Sequence, residues 1–194
     1  MRLLRHFSEF CLVLSLTLLV ISFLKPTSEK ETLPFTAENG QKGKIILTIP
    51  SEIHSGDESE ISLEVNLDAD ISTGSSPAAL SLISRFEIGG LAIAPHGEIR
   101  ATLDPGERMF FSWRVSSPYE EIFTGKLWLF SGQESGGRDL LFAREVILRS
   151  HQLLGYTFRQ VRIFLLIFFL VVFLLSFGLF RRESLLFFSK TLLM

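Results

Sequence analysis

The feature that most constrains this chain is an uninterrupted apolar segment near its C-terminus. Residues 163–180 (IFLLIFFLVVFLLSFGLF) form a run of 18 residues without a charge. About 20 such residues cross the ~30 Å hydrocarbon core of a bilayer as a helix. A core helix of a small soluble domain would carry a polar stripe, and this segment carries none. The sequence therefore predicts a transmembrane helix over residues 161–180.

Arginines flank this predicted helix on both sides. Arg159 and Arg162 precede it, and Arg181 and Arg182 follow it directly. Long basic side chains at the ends of a span can reach the headgroup layers. We therefore expect these four side chains to anchor the helix at the two membrane surfaces.

A second apolar segment lies near the N-terminus. Residues 10–24 (FCLVLSLTLLVISFL) follow Arg2 and Arg5, which is the charge pattern of a secretory signal. The chain then continues as KPT, with no small residues at the spacing of a cleavage site. We therefore expect an uncleaved signal anchor over residues 10–25. A cleaved signal, which would leave a type I single-pass protein, is the alternative.

The orientation follows from the N-terminal charges, because the basic residues on the two sides of the segments are otherwise balanced. Arg2 and Arg5 lie ahead of the first helix, which usually dominates orientation. We expect residues 1–9 and an amphipathic tail of residues 181–194 to be cytoplasmic. The region between the helices would then lie outside the plasma membrane, as in a bacterial envelope protein.

The region between the two segments shows alternating hydropathy. Residues 59–67 (SEISLEVNL) alternate apolar and polar side chains, which is typical of a half-buried antiparallel strand. Further strands are predicted at 44–49, 80–88, 91–94, 98–103, 109–115, 125–130 and 140–148. Trp113 and Trp128 are expected to anchor the core or a sheet face. The predicted fold class is an all-β extracytoplasmic domain over residues 44–149, flanked by two transmembrane α-helices.

This domain is expected to be an immunoglobulin-like β-sandwich of about seven strands. Residues 26–43 combine Pro, Glu, Lys and Gly with few apolar side chains, so they are predicted to be a linker. Residues 150–160 are predicted to be a connector beside the membrane.

The charges separate the middle of the chain from its ends. Residues 26–150 contain 11 Lys and Arg against 19 Asp and Glu, whereas the remainder contains 8 against 2. An acidic domain lacks the cationic face that nucleic-acid binding requires. We therefore expect no nucleic-acid partner.

Motifs of catalysis and metal binding are missing from the sequence. Cys11 is the single cysteine, and the four histidines do not share a metal-binding spacing. Asp68-x-Asp70-x-Ser72 begins like a calcium loop, but Thr73 stands where that loop needs glycine. We predict no catalytic, cofactor or metal site and expect the protein not to be an enzyme.

The second apolar segment has an aromatic side. Phe169, Phe173, Phe177 and Phe180 share one helical face, which would contact either lipid or a partner helix. The segment shows no small-xxx-small pattern for strong self-dimerisation.

The functional hypothesis is a membrane-anchored, non-enzymatic protein without a cofactor. It would present the acidic β-sandwich as an accessory subunit that binds another membrane or envelope protein. The alternative is an extracytoplasmic module that senses a ligand or an ion.

Overall fold

In a computed structural model, the chain is described for residues 2–37, 40–68, 79–132 and 137–191. It forms two compact units, one of Met1–Lys25 with Leu153–Met194 and one of Pro26–Gln152. The elements within the described ranges are α1 Arg2–Ser22, β1 Ser28–Thr36, β2 Lys42–Pro50, β3 Ile53–His54, β4 Ser59–Leu67, β5 Leu80–Ile88, β6 Ala92–Ala94, β7 Glu98–Leu103, β8 Arg108–Ser116, β9 Glu121–Gly132, β10 Arg138–His151 and α2 Phe158–Thr191.

The central unit consists of two five-stranded sheets. The first sheet has the order β1-β2-β4-β8-β6, and the second sheet has the order β3-β10-β9-β5-β7. The described pairs are antiparallel except β3 with β10, which is parallel. The prediction of a two-sheet β fold is confirmed. The described residues contain ten strands, where the sequence indicated about seven.

The core lies between the two sheets and follows from the alternation along each strand. In β4, Ile61, Leu63 and Val65 are fully buried while the side chains between them are not. Burying such a side chain contributes about 1.5–3 kcal/mol. Trp113 of β8 is opposite Ile61 and contacts Phe86 of β5 across the core, with ring centroids 5.8 Å apart. The alternation therefore determines which face of each strand packs inward.

The prediction of a linker over residues 26–43 is wrong, because β1 occupies Ser28–Thr36. Phe35 is buried and packs where a side chain at Gly43 would be, since a Cβ there would lie 2.5 Å from the Phe35 ring. Arg144 of β10 also forms a 3.1 Å ion pair with Glu31. Pro34 is tolerated because β1 is an edge strand, where a missing N–H group costs little.

Other strand boundaries also differ from the prediction. β3 was not predicted, and β10 runs to His151 into the predicted connector. The register of β10 with β9 shifts between Leu140 and Phe142, which adds one residue to β10 as a bulge. The central unit therefore extends over Pro26–Gln152 and not over 44–149 only.

The start of α2 is fixed by a capping box. The backbone N–H of Gln160 donates to Thr157 Oγ1 at 3.3 Å, and the Thr157 N–H donates to Gln160 Oε1 at 3.0 Å. This reciprocal pair satisfies two backbone donors that a helix start otherwise leaves unpaired. α2 therefore begins at Phe158 and continues without a break to Thr191, past the predicted end at residue 180.

One of the two predicted membrane helices has the properties of a span. Phe158–Gly178 is 21 residues long with a mean hydropathy of 2.7. At 1.5 Å per residue this segment is about 31 Å long, which matches a bilayer core. The apolar part of α1, Glu9–Ser22, is shorter than a membrane span. Among the described helices, α2 alone is long and apolar enough to cross a membrane. Two flanking transmembrane helices are therefore not confirmed.

α1 and α2 pack together within their unit. The Arg162 guanidinium donates from Nε and Nη2 to the carbonyl oxygen of Ser22, at 2.9 and 2.8 Å. It also lies over the ring of Phe23, 4.8 Å from the centroid. Carbonyl groups in the last turn of a helix lack hydrogen-bond donors within the helix. Arg162 is the donor for the carbonyl group at the end of α1. Ser15 and Ser22 are buried, as small residues at a helix contact are.

Both ends of the central unit bond to the same short segment. The Ser51 N–H donates to the Thr27 carbonyl, and the Ser55 N–H donates to the His151 carbonyl, each at 2.9 Å. The chain therefore enters and leaves this unit at one end of the sandwich.

Candidate functional site

The outer faces of the two sheets differ in chemistry. On the first sheet, Glu64 is paired with Arg108 at 3.9 Å and Glu58 with Arg114 at 3.6 Å. The exposed Phe110 is opposite Glu64 on this face. This is an ordinary solvated sheet surface, where exposed ion pairs contribute about 0–1 kcal/mol each.

The outer face of the second sheet carries apolar and aromatic side chains between rows of charged ones. Along β9, odd-numbered residues from Phe123 to Ser131 are buried in the core, so Trp128 and Phe130 point outward and are half-buried. Leu140 and Ile147 of β10, each 57% exposed, belong to the same face. Leu140 is the cross-strand partner of Phe130, whereas Ile147 lies beyond the charged row of Glu145 and Lys126.

The strand registers arrange this face in rows. Cross-strand partners share a face of a sheet, so each row contains the residues that the pairing places side by side. Successive rows are Leu140–Phe130–Ile83–Arg100, Ala143–Trp128–Arg85–Glu98, Glu145–Lys126–Glu87, Ile147–Thr124 and Arg149–Ile122.

Ile83 shows that this face packs beyond the core. It is 6% exposed, yet it is not part of the core cluster between the sheets. Gly132 lies beside it, since an added Cβ there would be in ordinary van der Waals contact with Ile83 Cδ1 at 3.8 Å. The face therefore has a small apolar centre of its own, formed around Ile83 and Phe130.

Charged side chains surround this apolar centre in an ordered way. The Arg85 guanidinium lies over the Trp128 ring at 5.9 Å and is hydrogen-bonded through Nε to Glu87 at 2.8 Å. Glu98 accepts a hydrogen bond from Arg138 and one from Arg100. The hydrogen bond from Arg138 lowers the pKa of Glu98, and Arg100 adds to this lowering. These pairs keep both signs of charge at fixed places on the face.

An open cleft adjoins the face beyond the end of β7. Its volume is ≈ 560 Å³, and its lining includes Glu87, His96, Lys126 and Trp128. The described ranges contain no group of three or more His, Cys, Asp or Glu side chains that could hold a metal ion. The candidate calcium loop from Asp68 falls largely on residues 69–78, outside the described ranges.

The membrane-anchoring residues named from the sequence are placed as follows. Arg159 is exposed in the first turn of α2, and Arg162 binds the Ser22 carbonyl. The rings of Phe169 and Phe173 stack at 6.3 Å, and Phe177 is exposed. The side chains of Arg2, Arg5, Phe180, Arg181 and Arg182 lie outside the description.

The outer face of the second sheet was not identified from the sequence. Its signal is the segment Lys126–Phe130 (KLWLF), where inward Leu127 and Leu129 alternate with outward Trp128 and Phe130. This pattern could have predicted that β9 carries apolar side chains on both of its faces.

No protein-family model matches the chain, and no curated protein matches it. Among solved structures, it is similar to a chain of the complex between Zinc 2-glycoprotein and Prolactin inducible protein from human seminal plasma. That match has a TM-score of 0.42 and 13% identity and covers 66% of this chain and 98% of that chain. It is also similar to the CARDB domain of a Pyrococcus furiosus protein in complex with di-metal ions, with a TM-score of 0.34, 10% identity and coverages of 66% and 91%. Neither likeness indicates what this chain binds.

Proposed function

We propose that this chain is a membrane-anchored, non-enzymatic protein-interaction module. The observation that supports it is the outer face of the second sheet. Trp128, Phe130 and Leu140 form an apolar patch there, and Ile147 lies beyond the charged row next to it. Protein interfaces combine an apolar core containing aromatic residues with a polar rim in the same way.

The anchor in this proposal is the pair of helices. Phe158–Gly178 has the length and hydropathy to cross a bilayer, and α1 packs on it through Arg162 and Ser22. In the uncleaved chain the Arg162 guanidinium binds the Ser22 carbonyl, and cleavage after α1 would remove that partner. Both termini would be cytoplasmic, and the sandwich would lie outside the plasma membrane.

The interaction is tested by photo-crosslinking in the cells that make the protein. A photoreactive phenylalanine replaces Ile147 in one full-length chain and Phe110 in another, because both positions are exposed but lie on opposite sheets. We expect protein adducts from position 147 and few from position 110. Equal adduct formation from both positions, or none from 147, would contradict the proposal.

The topology is tested with a reporter enzyme that is active only outside the cytoplasm. The reporter is fused after Met194 in one chain and inserted between residues 132 and 137 in another. We expect activity from the internal insertion and silence from the C-terminal fusion. Activity of the C-terminal fusion would refute the two-pass arrangement.

The cleft supports a second candidate, binding of a small ligand such as a sugar. Trp128 offers an aromatic surface, and Glu87, His96 and Lys126 offer polar groups around it. A thermal-shift and tryptophan-fluorescence screen of sugars on the full chain tests this. If no sugar shifts either signal at millimolar concentration, the candidate is refuted.

A further inference from the structure

We infer that the outer face of the second sheet binds the same face of a second copy of this chain. The inference rests on the proposed function, because it names the partner that binds the outer face of the second sheet. It predicts a face-to-face homodimer of the two sandwiches.

The first support is the apolar pairing that the rows allow. Two copies can face each other about a two-fold axis that runs across the strands, between the Trp128 row and the Lys126 row. Each strand then lies over the same strand of the other copy and runs in the opposite direction. The Leu140 row of one copy then lies against the Ile147 row of the other. Leu140 and Ile147 are both largely exposed in the single chain, so the contact removes apolar surface from water twice.

The second support is the complementarity of charge. Arg85 and Glu87 lie two residues apart on the outward side of β5. The antiparallel arrangement places Arg85 of each copy opposite Glu87 of the other, and Lys126 opposite the Trp128 ring. Cations and aromatic rings attract in this geometry. A face that holds both members of each pair is self-complementary, as a two-fold interface requires.

Disulfide trapping tests the register directly in the full chain. Cys11→Ser removes the single native cysteine, and two differently tagged chains then carry Leu140→Cys and Ile147→Cys. We expect the mixed disulfide to form at least about tenfold faster than a disulfide between two Leu140→Cys chains. Facing sheets lie about 10 Å apart on average, so small movements bring opposite Cα atoms within the roughly 7 Å that a disulfide needs, whereas the two Leu140 positions would be about 20 Å apart along the strands.

Phe110→Cys is the matched control, because this exposed side chain lies on the first sheet. No mixed disulfide, or equal rates for Phe110→Cys and the mixed pair, would overturn the inference.

Sedimentation in density-matched detergent tests the energetics. We expect a dimer for the parent chain, and Ile147→Glu should raise its dissociation constant about tenfold or more by burying a charge without a partner. Phe110→Glu should leave the constant unchanged. Arg85→Glu should weaken the dimer, and the exchange Arg85→Glu with Glu87→Arg should restore it. A monomeric parent, or equal weakening by Ile147→Glu and Phe110→Glu, would overturn the inference.

The outcomes separate this inference from the proposed function. If position 147 crosslinks in cells to a different protein and the disulfide trap fails, the homodimer is refuted and the interaction module stands. If position 147 yields no adduct at all and the trap fails, both are refuted.

Discussion

Gly125 on β9 provides a sharp test of how closely the strands of the second sheet pack. A Cβ at this position would lie 2.4 Å from the Glu87 carbonyl oxygen and 2.5 Å from Ile88 Cβ. Ordinary contacts of a Cβ begin at 3.4 Å, so Gly125→Ala must displace the β5 backbone by up to about 1 Å. Overpacking costs about 1–3 kcal/mol, and a weakened ladder hydrogen bond adds about 1 kcal/mol.

The lower conformational entropy of alanine in the unfolded chain offsets about 0.4–1 kcal/mol of that cost. The net loss of unfolding free energy should be about 1–3.6 kcal/mol, which lowers Tm by about 4–14 °C for a domain of this size. The assay is thermal unfolding of the full chain in mild detergent by tryptophan fluorescence. The chain has two tryptophans, Trp113 and Trp128, and both lie in the central unit, so the signal reports that unit alone.

Two glycines serve as controls for this prediction. Gly132→Ala on the same strand meets only the Ser81 hydroxyl oxygen at 3.1 Å, and Gly89→Ala meets nothing within 4 Å. Both should change Tm by less than about 3 °C. The Ser81 side chain can rotate away from the added methyl group at position 132, and the methyl group at position 89 meets no neighbouring atom. If Gly125→Ala melts within about 2 °C of the parent, the close approach of β5 and β9 is wrong.

Three further predictions follow from the burial, the charges and the helix contact. Leu127→Ala should lower the free energy of unfolding by about 2–5 kcal/mol in denaturant titrations, because Leu127 is fully buried. Ile122→Ala, at an exposed position, should change the free energy of unfolding by less than about 0.5 kcal/mol. Arg138→Gln should raise the pKa of Glu98 in a carboxyl NMR titration, and an unchanged pKa would refute the pairing. Because the pKa of Glu98 is lowered in the folded chain, the pairing contributes stability above the unfolded-state pKa. That stability is lost as the pH falls through the folded-state pKa. Mass spectrometry of chain extracted from membranes should find the intact 21.9 kDa protein, and loss of the segment before Lys25 would show that α1 is cleaved.

The strands that could be predicted from sequence are those whose own residues alternate. β4 and β5 begin and end at the predicted residues, 59–67 and 80–88, because period-two burial is written in their local sequence. β1 could not be predicted in this way, since the residues that hold it in the sheet are distant in the chain. Phe35 needs the empty space at Gly43, and Glu31 needs Arg144.

The candidate site was less predictable than the fold. The sequence shows that β9 is apolar on both sides, but it does not show which strands neighbour it. Only the registers bring Arg85 beside Trp128 and Leu140 beside Phe130. The start of α2 was predictable in principle, because Thr157 and Gln160 have the spacing of a capping box.

The contact between Arg162 and the Ser22 carbonyl has a consequence for the folding of everything between them. While α1 and α2 remain paired, the unfolded sandwich is a closed loop of about 140 residues and not an open chain. Loop closure removes conformational entropy from the unfolded state, by up to about 5 kcal/mol for a loop of this length. That is comparable to the whole stability of a small domain, which is about 5–15 kcal/mol. The helix pair thus acts on the sandwich as a reversible, non-covalent cross-link, and a chain that loses α1 loses that stabilisation.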